Sequence, residues 1–177
     1  ATTSDGVNTS LLYRDKESED FKPILTTDFK VSVVPLFFTF DNKSLYVASN
    51  RGRDKTAIFE FDLKKAEEGK LIFEHDEVDV SGLNYSKKRR VLTGVNYTLA
   101  KKKVVFFDSM RKNIQKNLEE QLPGYEVGIT SFSKDETKAV VVTYNDKSRG
   151  AYYYYDVEND NLIELGEVLS LIHISEP

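Results

Sequence analysis

The sequence contains no cysteine, and this absence excludes both disulfide bonds and metal sites built from thiolates. It also has no apolar run of the roughly 18 residues that a membrane-spanning helix requires. Lys and Arg total 25 against 29 Asp and Glu, so the net charge of −4 indicates no general attraction to nucleic acid or to an anionic membrane. We therefore expect neither as a partner. The compartment, cytoplasmic or periplasmic, stays open because ATTSDG already lies inside a strand pattern, where a leader would not be seen.

Histidine is almost absent as well, with two in the chain. Serine hydrolysis needs a nucleophile, a histidine base and an acid that orients the base, and the sequence has no G-x-S-x-G elbow. His75 ends a predicted strand in FEHDEVD, where we expect a surface histidine. The acids around it alternate sides on an extended chain, which favours a solvated acidic turn over a metal site. We therefore predict no catalytic residue, no metal site and no cofactor.

Repetition is what the sequence has in abundance. An aromatic residue followed by Ser or Thr and a polar turn recurs at Phe38, Tyr85 and Phe132, with successive starts 47 residues apart. Apolar runs closed by aspartate recur with spacings of 46 to 48 residues. These aspartates are Asp15, Asp62, Asp108 and Asp156. Periods of about 40 to 50 residues are typical of four-stranded propeller blades. We predict an all-β chain, a partial β-propeller with about three four-stranded antiparallel blades plus part of a fourth.

The repeat divides the chain into predicted segments. They are 1–27, the end of a truncated blade; 28–77, a blade; 78–124, a blade with a helical insertion; 125–168, a blade; and 169–177, a non-native tail. The tail LSLIHISEP abandons the repeat and resembles translated sequencing-adaptor read-through at the end of a metagenomic fragment. We exclude it, with His173, from every argument about fold and function.

A helix interrupts the strand pattern after the third run. Apolar residues spaced by four in DSMRKNIQKNLEEQLPG predict a short amphipathic helix at about 109–122. Asp108 or Ser109 is suited to cap it, and Pro123 with Gly124 would end it. We expect this helix to pack on the outside of its own blade.

The repeated polar and aromatic residues have structural explanations. Asp62, Asp108 and Asp156 each follow a predicted strand, where an aspartate accepts backbone N–H groups of its own turn. We therefore do not interpret them as a ring of carboxylates. The run Tyr152–Tyr155 projects alternately to both faces of its strand and is best explained as packing between blades.

Two basic clusters invite a nucleic-acid interpretation. They are Lys87–Arg90 and Lys101–Lys103. Successive turns of a meander lie at opposite ends of the strands, so the two clusters would form no single groove for a phosphate backbone. We expect solvated hairpin tips.

Two loops of matching position carry the candidate contact residues. The loops Asn50–Lys55 and Tyr144–Arg149 lie 94 residues apart and are predicted to open on the same face. Their cations are suited to a peptide carboxylate or an acidic partner. These cations are Arg51, Arg53, Lys147 and Arg149. The alternative, salt bridges to Asp54, Asp146 or the next blade, is the commoner fate of arginines in loops.

Three runs carry a resemblance to a known family: VVPLFFTFDNKSLYVASNRGRDKTAIFEFD, FEHDEVDVSGLNYSKKRRVLTGVNY and SFSKDETKAVVVTYNDKSRGAYYYYDVENDNLIELG. They resemble the N-terminal propeller of bacterial serine peptidases of the prolyl oligopeptidase family, in its acylaminoacyl-peptidase-like branch. The likeness covers most of residues 1–168, and SNRGRD and FEHDEVDVSGL are its more specific parts. Phe40 departs from the family, whose turn often has proline there.

The resemblance implies a parent protein with two parts. In such enzymes the propeller caps an α/β-hydrolase domain that holds the Ser, Asp and His, and it restricts entry to short peptides. The expected partners are that missing domain of the same chain and short peptides. No position here matches the triad, so the expected function is a non-catalytic propeller fragment that gates or docks peptide substrates. The alternative is a TolB-like or WD-repeat-like propeller that acts as a protein-interaction scaffold.

Overall fold

The computed structural model describes residues 1–168, and the predicted non-native tail lies outside the described residues. These residues form fourteen strands and one helix, which confirms the all-β prediction with a single helix. In chain order the elements are β1 (Thr2–Ser4), β2 (Asn8–Tyr13), β3 (Lys22–Asp28), β4 (Val33–Phe38), β5 (Leu45–Ser49), β6 (Ala57–Asp62), β7 (Glu67–Phe73), β8 (Val80–Ser86), β9 (Val91–Thr98), β10 (Lys102–Phe106), α1 (Ser109–Gln121), β11 (Glu126–Phe132), β12 (Lys138–Tyr144), β13 (Ala151–Asp156) and β14 (Asn161–Glu167).

The strands form four antiparallel meanders in which chain neighbours pair. The first sheet is β1-β2-β3, the second is β4-β5-β6-β7, the third is β8-β9-β10, and the fourth is β11-β12-β13-β14. The chain also divides into two compact units. Among the described residues, the first unit comprises Ala1–Ser86 and Arg90–Phe107, and the second comprises Lys87–Arg89 and residues 108–168.

In the first unit, the second sheet is covered on both faces. Leu11 of the first sheet is buried with Leu45 and Phe59 on one side. Tyr46 and Ile58 are buried against the third sheet on the other side. A strand with two covered faces need not alternate polar and apolar residues, which explains why β5 is almost entirely buried.

In the second unit, α1 covers one face of the fourth sheet. Its stripe of Ile114, Leu118 and Leu122 is buried against that sheet, in contact with residues that include Val141 and Tyr155. The predicted bounds are confirmed, and so is the cap. The prediction that the helix packs on its own blade is wrong, because its apolar stripe finds an apolar face on the following sheet.

The second and fourth sheets repeat the same turn between their first two strands. Thr39 Oγ1 donates to Asp41 Oδ1 at 2.7 Å and to the carbonyl of Ser44 at 3.1 Å. Exactly 94 residues later, Ser133 Oγ donates to Asp135 Oδ1 at 2.6 Å. The backbone N–H of Thr39 bonds to Ser44 at 2.9 Å, and that of Ser133 bonds to its equivalent partner at the same distance. Equal spacing in the sequence therefore corresponds to equal hydrogen bonding.

The turn before the last strand repeats as well. Asp62 Oδ1 accepts the backbone N–H groups of Lys64 and Lys65, at 2.8 and 3.0 Å. Asp156 Oδ1 accepts the N–H groups two and three residues later, both at 3.1 Å. These bonds hold the pKa of Asp62 below its usual range, and the side-chain hydrogen bond from Asn159, followed by the backbone bonds, does the same for Asp156. The prediction that the repeated aspartates serve their own turns is confirmed for both.

Candidate functional site

Arg53, one of the predicted contact residues, is engaged within its own unit. Its Nη1 lies 3.1 Å from Glu74 Oε2, and its Nη2 lies 3.9 Å from Glu68 Oε2. Its guanidinium carbon is 4.3 Å from the centre of the Phe59 ring. Ser49 Oγ donates to the Glu68 carboxylate at 2.5 Å and so completes a local network. Arg53 is therefore held by ion pairs, but with acids on and just after β7 rather than with the predicted Asp54, Asp146 or next blade.

The other three predicted cations, Arg51, Lys147 and Arg149, are exposed. In the part of the chain that the structure describes, no ion pair within 4.0 Å involves them. Arg51 follows β5 in the first unit, and the other two precede β13 in the second. A common face for the four cations stays a prediction.

The two loops are nevertheless fastened in the same way. Asn50 Nδ2 donates to the carbonyl of Lys30 at 3.1 Å. Asn145 Nδ2 donates to the carbonyl of Gly124 at 3.3 Å. Each asparagine thus ties its loop to the segment that leads into the first strand of its sheet. These hydrogen bonds fix the backbone of each loop, so the Cα positions of the loop cations are defined.

The second unit contains a partly buried cluster of charges that the sequence did not reveal. Arg89 donates to both carboxylate oxygens of Asp108, at 2.6 and 2.9 Å. Asp108 also accepts the backbone N–H of Arg111 at 2.9 Å, as the cap of α1. Arg111 Nη2 lies 3.0 Å from Glu136 Oε2, and Arg89 Nε lies 3.6 Å from the same oxygen. Within this unit, two arginines and two carboxylates thus join the segment Lys87–Arg89, the helix and the turn between β11 and β12.

This geometry shifts the pKa values of three members of the cluster. The hydrogen bonds from Arg89 hold the pKa of Asp108 below its usual range, and the same bonds raise the pKa of Arg89. Burial lowers the pKa of Arg111, whose guanidinium carbon lies 3.4 Å from the centre of the Phe132 ring. The two arginines and the two carboxylates balance each other, so the cluster has no net charge with which to attract a ligand.

In the basic run Lys87–Arg90, only Arg89 departs from the predicted solvated tip. Arg89 is largely covered by the cluster, and Lys88 Nζ donates to the carbonyl of Asp135 at 2.7 Å. Lys87, Lys88 and Arg90 are exposed, as expected of a solvated tip, whereas Arg89 is partly covered. A signal existed in the repeat: Lys88 stands where the equivalent turns have Asp41 and Asp135, so this turn had to be stabilised by other groups.

Two depressions lie within the units. One of about 130 Å³ borders the cluster and is lined by both signs of charge, including Lys88, Arg89, Glu136 and Glu158. The other, of about 280 Å³, lies between the first and second sheets and is almost wholly apolar. Neither brings together a nucleophile, a base and an orienting acid, which hydrolysis requires.

His75 lies in the acidic turn that the sequence predicts. Its Nδ1 accepts the backbone N–H of Glu77 at 3.1 Å, and its ring lies 4.5 Å from that of Tyr97. Asp79 accepts the backbone N–H of Thr56 at 2.6 Å. Among residues 1–168 no group of three or more His, Asp or Glu is arranged to hold a metal ion. Over the same residues no helix is both long enough and apolar enough to cross a membrane.

The tyrosine run alternates as predicted, but its two faces differ. Tyr155 is buried beneath α1 and donates to Asp160, and its pKa is raised to about 12, first by burial and then by this bond. Tyr153 packs against the same cluster. Tyr152 on the opposite face is exposed. One face is therefore covered by the helix rather than by a blade.

Comparisons with known proteins identify no family for this chain. No family model and no curated protein matches it. An uncharacterized protein from Listeria monocytogenes EGD-e, solved by crystallography, is similar with a TM-score of 0.27 and 12% identity over 92% of this chain and 35% of that one. The crystal structure of a nidogen/laminin complex is similar with a TM-score of 0.40 and 14% identity over 94% of this chain and 60% of that one. The chain thus spans less than two thirds of either structure.

Proposed function

We propose that this chain is a partial β-propeller from a bacterial serine peptidase of the prolyl oligopeptidase family, with about three blades, one of them the three-stranded third sheet, and part of a fourth. It gates or docks short peptides for an α/β-hydrolase domain of the same protein. The repeated turn carries the proposal: Thr39 with Asp41 and Ser133 with Asp135 make the same hydrogen bonds 94 residues apart. The stacking of three successive sheets in the first unit adds support.

Chemistry is assigned to the missing domain, because the described residues bring no triad together. The propeller's contribution is selection, and the exposed cations of the two fastened loops are its means. Arg51 in the first unit, and separately Lys147 and Arg149 in the second, are each suited to the terminal carboxylate of a peptide, through charge-assisted hydrogen bonds. Arg53 holds one of these loops through Glu68 and Glu74.

Peptide capture is tested with trialanine and with its C-terminal amide as the control ligand. We expect the free carboxylate form to bind more tightly, and the triple variant Arg51→Gln, Lys147→Gln, Arg149→Gln to remove that difference. The control variant Lys64→Gln, Lys65→Gln neutralises two exposed lysines of another turn and should leave it unchanged. Equal binding of the acid and the amide by the unchanged protein would disprove the docking role.

The parent enzyme is tested by recovering the coding sequence that follows. A G-x-S-x-G motif on a strand, turn and helix within the next few hundred residues would support the peptidase. A stop codon or a further blade in its place would favour the scaffold alternative.

A further inference from the structure

The third sheet ends in a strand edge that no other strand of the described residues covers. Its order is β10-β9-β8, so β10 pairs only with β9. The N–H of Phe107 bonds to the carbonyl of Thr93, and the N–H of Leu99 bonds to the carbonyl of Lys101. Antiparallel pairs alternate, so the odd-numbered residues between them direct their backbone groups to β9. The backbone groups of Lys102, Val104 and Phe106 therefore point away from β9.

The second and fourth sheets have a strand at exactly this place. In the second sheet β7 pairs with β6, and in the fourth β14 pairs with β13. The third sheet is the equivalent meander with one strand fewer, because the chain after β10 enters α1. At the position next to β10, the equivalent sheets of the repeat therefore have an antiparallel strand.

We propose that this edge binds an extended acidic peptide, which pairs with β10 as a fourth strand. Backbone hydrogen bonds to an exposed sheet edge are a recurring mode of peptide recognition. The side chains at the edge define the peptide's composition. Lys102 and Lys103 are exposed at its start, and Val104 on the same face as Lys102 is 37% exposed. An opposing strand is favoured when it places acids near the lysines and an apolar residue near the valine.

A second copy of the chain fits this edge less well than an acidic peptide. Lysines on an edge strand disfavour pairing with an identical edge, because like charges that face each other are destabilising. The peptide is therefore the occupant, and self-pairing is an outcome that the experiment must detect.

The test uses the whole chain, attached sparsely to a biosensor surface so that its molecules do not meet. The probe is a peptide of about eight residues, a typical strand length, that contains Val-Glu-Glu, so that one antiparallel register places the valine opposite Val104 and the glutamates opposite Lys103 and Lys102. In the charge-reversed control peptide, each glutamate is replaced with lysine. We expect the glutamate peptide to bind and the lysine peptide to bind at least about tenfold more weakly.

Two variants locate the binding on the edge. Val104→Pro removes an N–H that points outward, which an edge strand tolerates, and we expect binding to weaken about fivefold or more. Lys102→Glu with Lys103→Glu should reverse the preference between the two peptides. Lys64→Glu with Lys65→Glu is the matched control, since it reverses two adjacent exposed lysines elsewhere. Circular dichroism establishes that each variant keeps the fold.

Three results would overturn the proposal. The first is that the glutamate peptide does not bind. The second is that Val104→Pro binds it as tightly as the unchanged protein, and the third is that Lys64→Glu with Lys65→Glu changes the peptide preference as much as Lys102→Glu with Lys103→Glu. Binding of the soluble chain itself, lost in Val104→Pro while the peptide fails to bind, would assign the edge to a second copy instead.

Discussion

Arg111 of α1 and Glu136 of the turn between β11 and β12 form an ion pair at 3.0 Å, and each residue is only 7% exposed. Glu136 holds this place with a backbone φ of 57°, a left-handed conformation that non-glycine residues rarely adopt. The equivalent residue of the second sheet, Asn42, has nearly the same φ of 59°. Asparagine tolerates this conformation well, whereas glutamate gains no local bond from it. The ion pair with Arg111 offers a physical reason for glutamate here.

Removal of the acidic partner should destabilise the protein strongly. Glu136→Gln keeps the volume but leaves the buried charge of Arg111 with less compensation, and we expect a loss of about 3 kcal/mol in the free energy of unfolding. Urea unfolding followed by circular dichroism measures it. Glu158→Gln changes an exposed acid in the neighbouring turn and should cost under about 0.5 kcal/mol. Similar losses in the two variants would show that the buried pair contributes nothing special.

The limit of sequence reasoning is visible in this cluster. The strands, the helix and its cap follow from local patterns, because periodicity and capping act over a few residues. Arg89 and Glu136 are 47 positions apart, and no local rule brings them together. Their proximity depends on α1 packing against the fourth sheet, which tertiary burial decides.

The turn that repeats between the sheets should be sensitive to acid. The hydroxyl of Ser133, followed by the groups of Thr137, lowers the pKa of Asp135 from 3.8 to about 2. A lowered carboxyl pKa contributes stability that is fully present above the unfolded value and is lost as the pH falls through the folded one. We therefore expect this turn to weaken as the pH drops from about 4 to about 2. Carbon NMR of the Asp135 carboxyl should show a midpoint near 2, and Ser133→Ala should move it upward. Ser148→Ala, in a different loop, should leave the Asp135 midpoint unchanged. An unchanged midpoint in Ser133→Ala would contradict this explanation.

Glycine is required at one position of the second candidate loop. Gly150 has a φ of 80°, and a Cβ there would lie 1.6 Å from the carbonyl oxygen of Thr143. Gly52 in the first loop has a φ of 68° but nothing within 4 Å of a Cβ. We expect Gly52→Ala to cost about 1 kcal/mol of unfolding free energy from backbone strain alone. Gly150→Ala should cost clearly more, since the backbone itself must shift. Thermal unfolding compares the two, and equal costs would mean that the contact with Thr143 relaxes freely.

The exposed face of the fourth sheet matches a covered face of the second. Val140 and Tyr152 stand 94 residues after Tyr46 and Ile58, which are buried against the third sheet. On the fourth sheet this face has no such cover among the described residues, and Tyr152 is 44% exposed. Ile163, beside Tyr154 in the strand register, is 50% exposed. Contiguous apolar surface of this kind promotes association.

The isolated chain should therefore form oligomers or aggregates through this face. We expect light scattering to give a mass well above the 20.3 kDa of one chain. Tyr152→Lys with Ile163→Lys should shift the mass toward the monomer, because two charges on the face make its burial costly. Val7→Lys changes a still more exposed apolar residue, in the first sheet's hairpin turn, and should leave the oligomers intact. A monodisperse monomer before any substitution would contradict the prediction that this face drives association. Association that persists in the double lysine variant would place the contact elsewhere, and the edge of β10 would be the next surface to test.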